Sequence, residues 1–170
     1  MPFTIRATDA EELEQGESPA EVAVENALRK ARAARRAGRR EAVLGCDTIV
    51  ALDGTIYGKP PDAAAARRTL MALGGRTHEV ISGLALLLPD GSAEMVQRTA
   101  VARTRVTFRA LDEDLLDWYV GTEEWRGRSG GYAIQGAGAA LAVAVDGEEE
   151  NVVGLPLLTL AALYPELVSD

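Results

Sequence analysis

"VLGCDTIVALDGTIYGKP", Val43 to Pro60, is the stretch from which the rest of the chain can be read. Its first half is a near-continuous run of strand-forming residues, the pattern of a strand buried on both faces. Asp53-Gly54 is a hairpin-type pair, so "TIYGKP" returns beside the first strand. Yet Asp47 stands in the middle of the apolar run, and a buried ionised carboxylate must be paired, metal-bound or protonated. Lys59, brought back by the hairpin, is a candidate companion. A carboxylate and an ammonium facing one cleft could bind a metal and a phosphate, or could simply neutralise a buried charge. Side chains alternate along a strand, so Asp47 and Thr48 share a cleft only if the strand ends or bulges there, or if Thr48 contributes through its backbone.

Upstream, "GESPAEVAVENALRKARAARRAG" carries a helix start: Ser18 to cap, Pro19 at the first helical position, Glu21 completing an S-x-x-E box, and Gly38 as a stop. Ala23, Ala27 and Lys30 fall at i, i+4 and i+7, so Lys30 extends a stripe of small residues. Downstream, "PDAAAARRTLMALGG" reads as a helix started by Asp62 and ended by Gly74-Gly75. "THEVISGLALLLPDG" and "MVQRTAVARTRVTF" form an expected antiparallel pair about a Pro-Asp-Gly turn. Asp112 begins the helix "DEDLLDWYVGT"; then come the glycine-rich "GRSGGYAIQGAG", a strand "AALAVAV", and "NVVGLPLLTLAALYPEL", expected to finish as a helix. Without repeats or composition breaks, residues 1–170 are expected to form one α/β domain with a mixed sheet.

The 170 residues are 47% hydrophobic and 26% charged, enough for a real core. A net charge of −8 argues against broad nucleic-acid binding, but allows a small anionic ligand held by a few local cations or a metal. No apolar stretch approaches the ~20 residues that span a bilayer, and the opening residues lack the order of a signal peptide, so a cytoplasmic protein without membrane partners is expected. The single Cys46 cannot form an internal disulfide and is read as a small core residue. His78, the only histidine, is read as structural. Gln135 carries an amide that both donates and accepts, as reading a base edge requires. Glu11 and Glu12 become interesting only if the fold returns them to Asp47, since two carboxylates on one hard cation suit a magnesium site.

Taken in order, "LGCDTIVALDGTIYGKP", "LGGRTHEVISGLAL", "GGYAIQG" and "NVVGLPL" resemble the Maf family of nucleoside triphosphate pyrophosphatases. The resemblance implies an α/β fold with an elongated mixed sheet flanked by helices and two lobes around a cleft, shared with inosine triphosphate pyrophosphatases. It implies hydrolysis of a nucleoside triphosphate, dTTP, UTP or a modified nucleotide, to monophosphate and pyrophosphate with Mg²⁺ or Mn²⁺. By that resemblance Asp47 is the general base and, with Glu12, a metal ligand. Lys30 and Lys59 match phosphate-binding lysines, and Thr48 and Gln135 match positions tied to substrate choice. A homodimer is a family expectation. Family members begin with a strand and a loop of the form S-x-S-P-R-R; residues 1–170 start downstream of it, so that strand and phosphate loop are expected to be missing. The alternative is a nucleotide-binding regulatory protein with weak or no catalysis, linked to cell division.

Overall fold

The computed structural model describes residues 3–36, 40–90 and 95–167. An extended N-terminal segment leads into α1 (Pro19–Ala34), where the Ser18 hydroxyl accepts from Glu21 N and Pro19 takes the first helical position. The expected stop at Gly38 lies outside the described residues, and the helix ends at Ala34. Next come β1 (Val43–Leu52), β2 (Thr55–Tyr57) and α2 (Ala63–Leu73). The turn between β1 and β2 has Asp53 at φ 50° and Gly54 at φ 80°, the positive pair that a two-residue hairpin demands. Then follow β3 (Thr77–Pro89), β4 (Met95–Phe108), α3 (Glu113–Gly121), β5 (Ala142–Asp146), α4 (Glu149–Val153) and α5 (Leu157–Leu163).

The five strands form one sheet in the order β2-β1-β3-β4-β5. The α/β architecture is the expected one, but all four pairings are antiparallel where a mixed sheet was anticipated. The β1–β2 hairpin is antiparallel because a two-residue turn reverses the chain, and the longer connections from β1 to β3 through α2 and from β4 to β5 through α3 also return the chain antiparallel. The turn expected at "PDG" lies partly outside the described residues, yet the β3–β4 register runs unbroken from Thr77↔Thr107 to Pro89↔Met95. The stretch "NVVGLPLLTLAALYPEL" finishes as a helix, α5, as expected, and Gly154 at φ 125° and Pro156 separate it from the shorter α4.

The sheet has two unlike faces. On one, α1 covers β1 and β3 with Val22, Ala23, Ala27 and Ala31 against Ile49, Ala51, Ile81 and Ala85. The contact is close because glycine lies beneath the helix: a Cβ at Gly45 would stand 2.1 Å from Ala27 O, and one at Gly83 would stand 2.4 Å from Ala23 O. On the other face Val50, Val80, Val106 and Phe108 join α2, α3 and Trp125 in the larger core. Buried His78 lies in that core, with Nε2 2.9 Å from the Tyr132 hydroxyl. β2 pairs only with Val50 to Leu52, so the outer edge of β1 from Val43 to Ile49 has no strand partner among the described residues. That open edge sets the location of the site.

Candidate active site

A cavity of about 240 Å³ runs around the open edge of β1. Asp47 lies on the helix-covered face and is buried, 6% exposed. Its neighbour Thr48 points to the opposite face, as strand alternation requires, yet both line the cavity. β1 neither bulges nor ends here: Asp47↔Gly83 and Thr48↔Ser82 are consecutive pairs in an uninterrupted register. The conflict raised by the sequence is resolved by a cavity that wraps an edge and so receives side chains from both faces.

On the helix side four charged groups form a chain. Lys30 Nζ lies 2.5 Å from Asp47 Oδ1 and 2.8 Å from Glu12 Oε1, and Lys59 Nζ lies 3.0 Å from Glu12 Oε2. The partner of Asp47 is therefore Lys30 rather than Lys59, because the glycine contacts under α1 bring the helix close enough for Lys30 to reach the strand. Burial opposes the Lys30 charge, but hydrogen bonds and charges from Asp47 and Glu12 outweigh it and raise its pKa above the ordinary lysine value. Burial likewise works against ionised Glu12, and Lys30 and Lys59 reverse the effect, leaving its pKa below the usual range.

Asn26, which the sequence reading passed over, completes this side. Its Nδ2 donates to Asp47 Oδ2 at 3.1 Å, and the same amide pairs with the backbone of Leu13. A signal was available: Val22, Ala23, Asn26, Ala27, Lys30 and Ala31 follow one helical stripe, so Asn26 had to face the sheet.

The opposite side is polar but not charged. Thr48 Oγ1 lies 2.6 Å from Ser82 Oγ and donates to Gly154 O at 3.4 Å. Cys46 belongs to this wall rather than to the core: its Sγ donates to Gly154 O at 3.2 Å, and burial pushes the thiol up to about 11, so it is protonated and no nucleophile. Gln135 lines the cavity from an exposed turn. Glu124 holds that turn by accepting from Ala137 N at 3.0 Å and Gly138 N at 3.3 Å. Ser129 donates to Thr48 O at 2.9 Å, tying the glycine-rich segment to the edge of β1.

Among the described residues no group of three or more His, Cys, Asp or Glu side chains could hold a metal. The Glu12 and Asp47 carboxylates nevertheless converge on one positive centre, the Lys30 ammonium. Two hard oxygen ligands completed by phosphate oxygens and water match the needs of Mg²⁺, so the donor set fits such an ion. No described helix is long and apolar enough to cross a membrane.

Residues 1–167 match the model of the family described as "Maf-like protein". A protein of Anaeromyxobacter dehalogenans is 45% identical over 164 residues, covering 96% of this chain and 82% of its own length. One of Bacillus cytotoxicus is 40% identical over 161 residues, covering 94% and 82%. One of Pyrococcus furiosus is 43% identical over 123 residues, 72% of this chain; that match spans 62% of the relative, less than two thirds of its length. All three relatives are named dTTP/UTP pyrophosphatase.

Proposed function

The chain belongs to the Maf-like protein family, and from that premise we propose that it is a nucleoside triphosphate pyrophosphatase, acting on dTTP and UTP. The carrying observation is the division of one cavity by the edge of β1, with Asp47, Lys30 and Lys59 on one side, both lysines paired to Glu12, and Thr48 and Gln135 on the other. A nucleotide is divided in the same way, into an anionic triphosphate and a neutral base. Lys30 and Lys59 take the phosphates, and the Gln135 amide reads the base edge against the wall formed by Cys46, Thr48 and Gly154.

Asp47 accepts the proton of the water that attacks the α-phosphorus. As the new P–O bond forms, the bond from the α-phosphorus to the oxygen bridging to the β-phosphorus breaks, and pyrophosphate leaves with that bond's electron pair. The two lysines balance the charge gathering on the departing group. Asp47 and Glu12 would hold Mg²⁺ or Mn²⁺, which when bound supplies Lewis-acid neutralisation of phosphate charge. A homodimer in the cytoplasm accompanies this reading as a family expectation.

Incubation with a panel of triphosphates and Mg²⁺ tests the proposal. Equimolar monophosphate and pyrophosphate, formed fastest from dTTP and UTP, is the expected result. Orthophosphate release would overturn it. Nucleotide binding without any product would favour the regulatory alternative.

A further inference from the structure

We propose that Asn26 is a positioning residue that couples the backbone carrying Glu12 to the carboxylate of Asp47, a role whose catalytic consequence rests on the pyrophosphatase reading above. Asn26 sits on α1 and is 2% exposed. Its Oδ1 accepts from Leu13 N at 2.6 Å, while its Nδ2 donates to Leu13 O at 3.0 Å and to Asp47 Oδ2 at 3.1 Å. Both N–H bonds and one lone pair are therefore used inside the protein. Only this orientation of the amide satisfies all three contacts, because the reversed one would set donor against donor at Leu13 N.

The residues from Phe3 to Glu17 form no helix or strand. Their backbone groups lack a regular ladder, and Asn26 gives Leu13 the pair of bonds that a neighbouring strand would otherwise supply. Glu12 is the preceding residue, so the clamp on Leu13 fixes where the Glu12 side chain begins. The same amide fixes Asp47, whose two oxygens are divided between Lys30 and Asn26. Together these contacts close a circuit from Asp47 through Lys30, Glu12, Leu13 and Asn26 back to Asp47.

Among the described residues Lys30 is the only direct bridge between the two carboxylates, and it is also a group that a triphosphate would attract. Once phosphate oxygens compete for Lys30, the remaining link between Asp47 and the Glu12 segment is Asn26. An aspartate at this position has no N–H to donate, and a leucine leaves Leu13 N, Leu13 O and Asp47 Oδ2 without their partner. A glutamine is longer by a methylene in a layer where α1 already rests on Gly45 and Gly83. Asparagine is thus chosen by hydrogen-bond inventory and length together.

The test uses the full chain with Asn26→Leu, close in volume, and Asn26→Ala as the second variant. Three quantities are read: exchange of the Leu13 amide hydrogen in metal-free protein, Mn²⁺ affinity by electron paramagnetic resonance, and steady-state kinetics with UTP. Expected are at least tenfold faster Leu13 exchange, Mn²⁺ affinity reduced about 10- to 100-fold, and kcat reduced over a similar range with KM within about threefold. Unchanged Mn²⁺ affinity and kcat in either folded variant would overturn the proposal, even where the melting temperature falls. Failure of both variants to fold would also overturn it, by making Asn26 a residue of the core alone. If the wild-type chain hydrolyses no triphosphate, the pyrophosphatase reading fails, while the exchange and Mn²⁺ measurements still decide the role of Asn26.

Discussion

Asp47 and Thr48 are adjacent in β1 and face opposite sides of the sheet, yet both line one cavity, because the strand edge beside them has no strand partner among the described residues. Their substitution should therefore separate chemistry from recognition. Asp47→Asn keeps shape and removes the base, and should lower kcat about 100- to 10,000-fold with the fold retained by circular dichroism. Thr48→Val should leave kcat much closer to wild type and alter the ratio of UTP to CTP turnover. It should also cost ~1–3 kcal/mol in urea unfolding, since the buried Ser82 hydroxyl loses its partner.

The close seating of α1 gives a second prediction. In Gly45→Ala the added methyl group meets the main chain of Ala27, which cannot rotate away as a side chain can. The helix must lift, at a cost of about 1–3 kcal/mol, and Lys30 and Asn26 move with it. Calorimetry should record a lower melting temperature, and pyrophosphate release should fall beyond what stability explains. Gly121→Ala, where the new Cβ meets nothing within 4 Å, is the matched control.

Much of this arrangement could be read before any coordinates, because it is encoded locally. Ser18, Asp62 and Asp112 each cap the helix expected of them, and Asp53-Gly54 makes the expected turn. Spacing alone puts Lys30 on the stripe of small residues that the structure turns toward the sheet. Less legible was anything decided by three-dimensional proximity. The partnership of Lys30 with Asp47 depends on two glycines in different strands, and Cys46 lies in a cavity wall where β1 has no strand partner among the described residues. Asn26 was missed because asparagine in a helix is ordinarily a solvated residue. Only its place in the apolar stripe, read together with its chemistry, marks it as buried and bonded.

Lys59 should behave differently from Lys30. It is half exposed and its ion pair among the described residues is with Glu12, which also pairs with Lys30, so its removal leaves no buried carboxylate without a partner. Lys59→Met should raise KM for UTP about tenfold, equivalent to ~1.4 kcal/mol of binding, and change kcat less. The loss should shrink at high salt, because an exposed charge is screened. An equal fall in kcat and kcat/KM would instead place Lys59 at the transition state.

The pair formed by His78 and Tyr132 predicts how the fold responds to acid. His78 is 1% exposed, its Nε2 meets the Tyr132 hydroxyl, and its Nδ1 has no hydrogen-bond partner among the described residues. Phe108 and Tyr132 both pack against the ring edge to face. Burial lowers the His78 pKa from 6.5 to about 4. Between those values the unfolded chain binds the proton more readily than the folded one, so stability rises with pH across the window. The contribution is fully present above about pH 6.5, declines as pH falls, and is exhausted below about pH 4, amounting to ~3 kcal/mol on the order-of-magnitude conversion of pKa to free energy. Urea unfolding at half-unit steps from pH 8 to pH 4 should trace that slope. His78→Phe deprives the Tyr132 hydroxyl of its partner and should be less stable at pH 8, yet its stability should vary less between pH 6.5 and pH 4. An identical slope in the variant would assign the acid sensitivity to the carboxylates instead.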